Sequence, residues 1–292
     1  MGLQIKEILG VAEKILREAG IKESNVDAQL LLSYVIGYDN RRIFMNWAKE
    51  IDDDHSEHYF ELIQRRAAGE PTQYLTNRQD FMGFPFYVDN RVLIPRMDTE
   101  ILVESVLAYT KNHKSIQRVL DMCTGSGVIA VSIQKMNPSL KITASDIDEN
   151  ALDVARKNAT IHKIDGKIKF INSDLFDEFN TGFGSKKFDL IVSNPPYIKS
   201  RDIPTLQKEI YDYEPMKALD GGDDGLVFYK RMVEEAPNFL KKGGALFFEI
   251  GYDQANALIA LLNATNEYDN ISIQKDLGGN DRVLFATLQK KK

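Results

Sequence analysis

Apolar residues recur at helical spacing over residues 3 to about 69, with no alternating strand pattern among them. Ile8, Val11, Ala12 and Ile15 form one stripe. Ser24 and Asp27 have the spacing of a capping box opening a helix that carries Leu30, Leu31, Leu32 and Val35 and stops at Gly37. Gly69 closes a further helix, so this stretch predicts a small helical bundle.

Between Phe81 and Ile94 short aromatic and β-branched runs flank the turn-prone pair Asp89-Asn90, which predicts a hairpin joining two domains. From about residue 117 the texture becomes strand alternating with helix. Val119-Leu120-Asp121, Ile142 to Ser145, Ile168 to Ile171, Leu190-Ile191-Val192 and Ala245 to Phe248 read as buried strands with helical patterns between most of them. That order predicts a doubly wound α/β sheet. The expected division is a helical domain over 1–78, a hairpin linker over 79–94 and an α/β domain over 95–292.

A length of 292 residues, about twice that of a common single domain, agrees with two domains. With 43% hydrophobic and 27% charged residues the chain has the composition of a globular protein. The net charge of −6 argues against a broad electrostatic grip on duplex phosphates, and direct nucleic-acid binding is not expected. Cys123 is the single cysteine, and His55, His58, His113 and His162 lie in polar contexts, so no structural metal is expected. Met1 to Lys6 has no secretory apolar region, no run reaches membrane-spanning length, and Lys290-Lys291-Lys292 reads as a solvated end. These features predict a cytoplasmic protein.

The first chemical signal is Asp121-Met122-Cys123-Thr124-Gly125-Ser126-Gly127, where the first α/β strand ends and a helix starts. Asp146 ends the next strand, about 20 residues later, where a carboxylate can bind ribose hydroxyls. A nucleoside cofactor is implied. Gly125 to Ala130 also satisfies the loose dinucleotide fingerprint, which leaves a nicotinamide dehydrogenase as a competing reading of this motif. The tight turn and Asp121, a carboxylate able to hold a methionine ammonium, favour S-adenosylmethionine. After the third strand, Asp174 could bond the adenine amino group and Leu175 could pack on the ring, although a polar strand end is also common turn chemistry.

The second signal is Asn194-Pro195-Pro196-Tyr197, directly after an apolar strand. Ligands in open α/β sheets gather at the carboxyl ends of strands, which places this motif beside a cofactor's reactive group. An amide nitrogen is a poor nucleophile because its lone pair is delocalised, so both N–H groups must be held and the lone pair aimed. The Asn194 side-chain oxygen can accept one N–H and the Pro195 carbonyl the other. The prolines fix the backbone in advance, and Tyr197 can lie against a planar substrate, adding about 1 kcal/mol of stacking.

With these motifs the chain resembles the protein-(glutamine-N5) methyltransferases of the HemK/PrmC family, which modify the Gly-Gly-Gln motif of peptide-chain release factors. The resemblance extends over Gly69-Glu70-Pro71, Gln73-Tyr74-Leu75, Leu93-Ile94-Pro95-Arg96, Asp98-Thr99-Glu100, Asp121 to Gly127, Asn194 to Tyr197, Glu214-Pro215, Ala218 to Gly222 and Gly225-Leu226. It implies a Rossmann-like seven-stranded methyltransferase domain, a β-hairpin linker and an N-terminal helical-bundle domain that contacts the release factor.

The candidate cofactor residues are therefore Asp121, Cys123, Thr124, Gly125, Ser126, Gly127, Asp146, Ile147, Asp174, Leu175 and Asn194. The candidate catalytic and substrate residues are Asn194, Pro195, Pro196 and Tyr197, with Arg96 as a further substrate contact. Arg96 and Thr99 are candidate wall residues, or equally a surface ion pair and a helix cap. The sequence departs from the family pattern at Met97, often proline, and at Leu175, an aromatic ring in some members. The competing functions are a DNA adenine-N6 methyltransferase using the same motif on a flipped base, and a glutamine methyltransferase of a ribosomal protein. A non-catalytic S-adenosylmethionine-binding module is a third.

Overall fold

The computed structural model describes residues 3–179 and 187–290. Met1, Gly2, Lys291 and Lys292 of the terminal stretches read above lie outside the described residues. In chain order the elements are α1 (Ile5–Glu18), α2 (Ser24–Ile36), α3 (Asn40–Met45), α4 (Asp53–Ala67), α5 (Thr72–Leu75), β1 (Gln79–Phe81), β2 (Phe84–Phe86), α6 (Asp98–Asn112), β3 (Arg118–Met122) and α7 (Val128–Met136). There follow β4 (Lys141–Asp146), α8 (Glu149–Ile161), β5 (Ile168–Asn172), β6 (Phe188–Ser193), α9 (Lys208–Tyr213), α10 (Val227–Phe239), β7 (Leu240–Glu249), α11 (Ala255–Thr265), β8 (Tyr268–Lys275) and β9 (Asp281–Leu288). The chain forms two compact units, one running up to Arg78 and including Gln207–Tyr213, the other comprising Gln79–Leu206 and the chain from Glu214 onward.

The helical unit packs α1, α2 and α4 around Ile8, Ala12, Leu16, Leu31, Leu32, Tyr59 and Ile63. The buried stripe of α1 runs Ile8, Ala12, Leu16 at i+4 steps, and Val11 is 47% exposed, so the face is rotated from the Ile8–Val11–Ile15 reading. The capping box also lies elsewhere. Ser24 makes no cap bond, whereas the Gln4 backbone N–H donates to Glu7 at 3.0 Å at the start of α1. Asp27 is instead buried and accepts from Arg66 at 2.7 Å, and Arg66 also donates to Glu209 of α9 at 2.7 Å. Gly37 ends α2 in the left-handed conformation, as its position in the sequence predicts.

In the other unit, β1 and β2 pair antiparallel, with the turn at Met82-Gly83, both at positive φ, and not at Asp89-Asn90. Phe81 and Phe86 are buried in the same core as Leu102, Val103 and Val131, so the hairpin is built into this unit. Among the described residues the main sheet has seven strands in the order β5-β4-β3-β6-β7-β9-β8. The first five are parallel, and β9 and β8 join antiparallel at one side. Helices on both faces explain why β3 and β6 read as near-continuous apolar runs rather than alternating ones. The direction of winding reverses between β3 and β6, which opens a crevice beyond their carboxyl ends. No helix of the described residues is long and apolar enough to cross a membrane.

Candidate active site

A cleft of about 980 Å³, part of it open to solvent, lies at that reversal. Its walls come from successive strand ends: Met122 to Ser126 after β3, Asp146 to Asp148 after β4, Ser173 to Leu175 after β5, and Asn194 with Pro196 after β6. Arg96 and Thr99 line it from the start of α6, and Pro215, Lys217 and Phe228 from the later chain. Four of the residues expected here, Asp121, Gly127, Pro195 and Tyr197, do not form its wall.

Asp121 is fully buried and braces the loop from behind. Its Oδ2 accepts from the Thr124 hydroxyl at 2.5 Å and from the Ala130 backbone N–H at 3.1 Å, while Oδ1 has no hydrogen-bond partner. Burial raises its pKa to about 7, against the lowering effect of Thr124 and Ala130. Gly127 serves packing: at φ +82° a Cβ there would stand 2.9 Å from the Ala155 Cβ, so only glycine lets α7 start this close to α8. Asn158 of α8 ties the loop further, donating to the Ser126 carbonyl at 2.8 Å and accepting from the Tyr87 N–H at 2.7 Å.

Asp146 faces the cavity. Its two oxygens accept one backbone N–H each, Gly125 at 2.8 Å and Asp148 at 3.0 Å, and burial raises its pKa. Each carboxylate oxygen has a second lone pair, so both vicinal hydroxyls of a ribose can still donate to it. Three features of this wall suit a nucleoside cofactor: the open space beside Gly125, the left-handed backbone of Cys123 and Leu175 at φ 58° and 47°, and the exposed apolar Ile147. Burial pushes the Cys123 thiol well up, which keeps it a neutral wall atom. Asp174 is also on the wall, but its Oδ1 accepts from Arg231 at 2.8 Å, a partner that spacing along the chain did not reveal.

At the end of β6, Ser193 donates to the Met122 carbonyl at 2.7 Å and holds the strand end level with the loop that follows β3. The Asn194 amide Nδ2 donates to the Thr99 hydroxyl at 3.3 Å. Beyond it, Pro196 and Tyr197 are clamped by the chain from Leu219 to Gly225. The Ile198 N–H donates to the Leu219 carbonyl at 3.0 Å, the Gly221 N–H donates to the Ile198 carbonyl at 2.8 Å, and Gln254 donates to the Tyr197 carbonyl at 3.0 Å. A Cβ on Gly221 would lie 2.7 Å from the Tyr197 Cα, and one on Gly225 2.5 Å from the Tyr197 carbonyl oxygen. These glycines therefore permit the close approach that fixes the Asn-Pro-Pro-Tyr backbone.

The Tyr197 hydroxyl reaches Glu249 at 3.4 Å, and burial with the nearby Glu249 charge raises its pKa. Glu249 ends β7, is 1% exposed, and was not among the residues that the sequence pointed to. Arg96 pairs with the buried Glu214 at 2.5 Å, and Glu214 also accepts from the Ile94 N–H at 3.3 Å. Arg96 is thus half of an ion pair in the wall, and Thr99, 3% exposed, belongs to the asparagine's support.

The chain matches the family models of the PrmC N-terminal domain over residues 7–76 and of the methyltransferase small domain over residues 97–212. It is 40% identical over 286 residues to the release factor glutamine methyltransferase of Clostridium acetobutylicum, covering 97% of this chain and 98% of that protein. The protein of the same name from Clostridium botulinum is 39% identical over 282 residues, covering 97% and 98%. The chain belongs to the release factor glutamine methyltransferase family. Among solved structures, the catalytic domain of hMettl16 is similar at a TM-score of 0.55 and 12% identity, covering 82% of this chain and 83% of that one, which supports the fold alone. Membership makes the chain an S-adenosylmethionine-dependent methyltransferase and sets aside the dehydrogenase reading of Gly125 to Ala130.

Proposed function

We propose that the chain transfers a methyl group from S-adenosylmethionine to the side-chain nitrogen, N5, of the glutamine in the Gly-Gly-Gln motif of peptide-chain release factors. The observation that carries this reading is the held Asn194 amide at the carboxyl end of β6, on the cavity wall. Its Nδ2 is engaged by Thr99, so Oδ1 is the end left to accept an N–H from the substrate amide. The relatives' names supply the substrate class.

When bound, S-adenosylmethionine supplies an electrophilic methyl group on a sulfonium. Asp146 would hold the ribose, with Ile147 beside it, and the loop from Cys123 to Ser126 would lie along the methionine portion. Asp174 and Leu175 would border the adenine. Asn194 Oδ1 and the Pro195 carbonyl accept the two N–H groups of the glutamine amide and favour the positive charge that grows on nitrogen. The amide nitrogen would take the methyl group, leaving the cofactor as a neutral thioether, and one N–H proton would pass to solvent. No strong base is required, because that proton becomes acidic only as the bond forms. The Asn-Pro-Pro-Tyr backbone is set before substrate arrives, which lowers the reorganisation needed at reaction.

The test incubates the protein with labelled S-adenosylmethionine and a release factor, beside the same factor with its Gly-Gly-Gln glutamine replaced by alanine. Label in the first alone is the expected result. Equal label in both, or transfer only to a ribosomal protein or to adenine in DNA, would overturn the reading.

A further inference from the structure

Glu249 is a buried carboxylate with no part in the steps above, yet it touches two residues that hold the substrate motif. Its Oε1 accepts from the Tyr197 hydroxyl at 3.4 Å, its Oε2 is buried with no hydrogen-bond partner among the described residues, and the nearby Thr99 hydroxyl lowers its pKa. Thr99 in turn accepts from Asn194 at 3.3 Å. We propose that Glu249 is a positioning residue for methyl transfer, which orients the Asn194 amide through Thr99 and tethers the Tyr197 ring. This rests on the proposed role of Asn194 Oδ1 as an acceptor for the substrate amide.

The two ends of an asparagine amide have nearly the same shape, so packing alone does not decide which faces a ligand, and the hydrogen-bond network must. An ionised carboxylate accepts only. A hydroxyl has a single proton, and if it gives that proton to Glu249 it can only accept from Asn194. Nδ2 is then held against Thr99, and Oδ1 faces the cavity. Once Glu249 is protonated or replaced by a neutral amide, the Thr99 proton is free to turn to Asn194. The asparagine can then reverse and present N–H groups to the N–H groups of the substrate.

Glu249 is placed to be sensitive to pH. Burial raises its pKa to about 7, Thr99, Arg282 and Tyr197 draw it down, and Asp98 pushes it up. These groups come from α6, from β9 and from the loop after β6, while Tyr229 of α10 bonds the Glu249 backbone carbonyl at 2.7 Å and not the carboxylate. The working form is the ionised one, so turnover should fall as pH drops through about 7 and level off above it.

The test measures kcat and KM for methyl transfer to a release factor across pH for wild type, Glu249→Gln, Thr99→Val and Thr99→Ser, with cofactor affinity measured separately. Expected are a kcat lower by about 10–100-fold in Glu249→Gln and Thr99→Val, loss of the acid limb in Glu249→Gln, and near wild-type behaviour in Thr99→Ser, with cofactor affinity retained throughout. An acid limb and a kcat unchanged in Glu249→Gln would overturn the inference and assign the limb to another group, Asp121 being the obvious one. Should Glu249→Gln fail to fold, Thr99→Val decides, because it cuts the link and keeps the shape: wild-type kcat in that variant overturns the proposal. No glutamine methylation by the wild-type protein would overturn the proposed function and this inference with it, an outcome visible before any variant is compared.

Discussion

The Asp146 carboxylate accepts a hydrogen bond from the Gly125 backbone N–H at 2.8 Å, which fixes the end of β4 to the loop that follows the neighbouring strand β3. One side chain thus shapes the loop and offers its remaining lone pairs to the cavity. Asp146→Ala removes both functions. Two hydrogen bonds to a charged group, at about 1.5–3 kcal/mol each, are lost, so S-adenosylmethionine affinity measured by calorimetry should weaken by at least about 100-fold. Unchanged affinity would remove Asp146 from the cofactor site.

Gly127→Ala places a methyl group 2.9 Å from the Ala155 Cβ, on a backbone at φ +82° that disfavours any side chain. Overpacking and backbone strain together should cost about 2–4 kcal/mol of stability, read from urea unfolding. Gly125→Ala meets no atom within 4 Å, so its Cβ adds only the left-handed strain and should cost less stability. The reverse ranking of the two variants would contradict the division of these glycines into a packing position and a loop position.

Asp121 gives a pH-dependent signature in the cofactor-free protein. Its pKa is about 7 in the folded state against an ordinary 3.8, so the native form binds more protons than the unfolded form between those values. The favourable contribution of protonation is complete below about pH 4 and is lost as pH rises through about 7. Asp121→Asn cannot ionise, so its stability relative to wild type should rise between about pH 5 and pH 8 by about 2–3 kcal/mol, at about 1.36 kcal/mol per pKa unit. Parallel stability curves for the two proteins would show that Asp121 titrates normally.

The parts of the site that spacing could reveal are those in which function depends on neighbours along the chain. Cys123 to Gly127 and Asn194 to Tyr197 each follow a strand directly, so their place at the carboxyl end of a parallel sheet was readable from the alternation of strand and helix. Glu249, Glu214 and Arg231 act on residues from distant elements, and no local pattern joins them. One signal was present: Glu249 is a lone carboxylate closing the apolar run Leu246-Phe247-Phe248, the same strand-end position as Asp146.

Among the fold elements, β8 was illegible because Asn270, Ser272, Gln274 and Lys275 give it a mostly exposed, edge-strand composition. The hairpin turn was misplaced for a different reason. Asp89-Asn90 has stronger turn chemistry than Met82-Gly83, but Phe81 and Phe86 both bury in the core, and this sets the register around the weaker turn. In α1 and α2, tertiary packing chose Leu16 over Ile15 and drew Asp27 inward to Arg66, where local pattern favoured a cap.

The central claim is that Asn194 presents a glutamine amide for methylation. Tandem mass spectrometry of the release-factor peptide containing Gly-Gly-Gln, after incubation with S-adenosylmethionine and either wild type or Asn194→Ala, tests it most directly. One methyl group on the glutamine side-chain nitrogen is expected with wild type, and a rate lower by about 10²–10³-fold with the variant, which still binds the cofactor. A methyl group on any other atom, or an undiminished rate with Asn194→Ala, would contradict it.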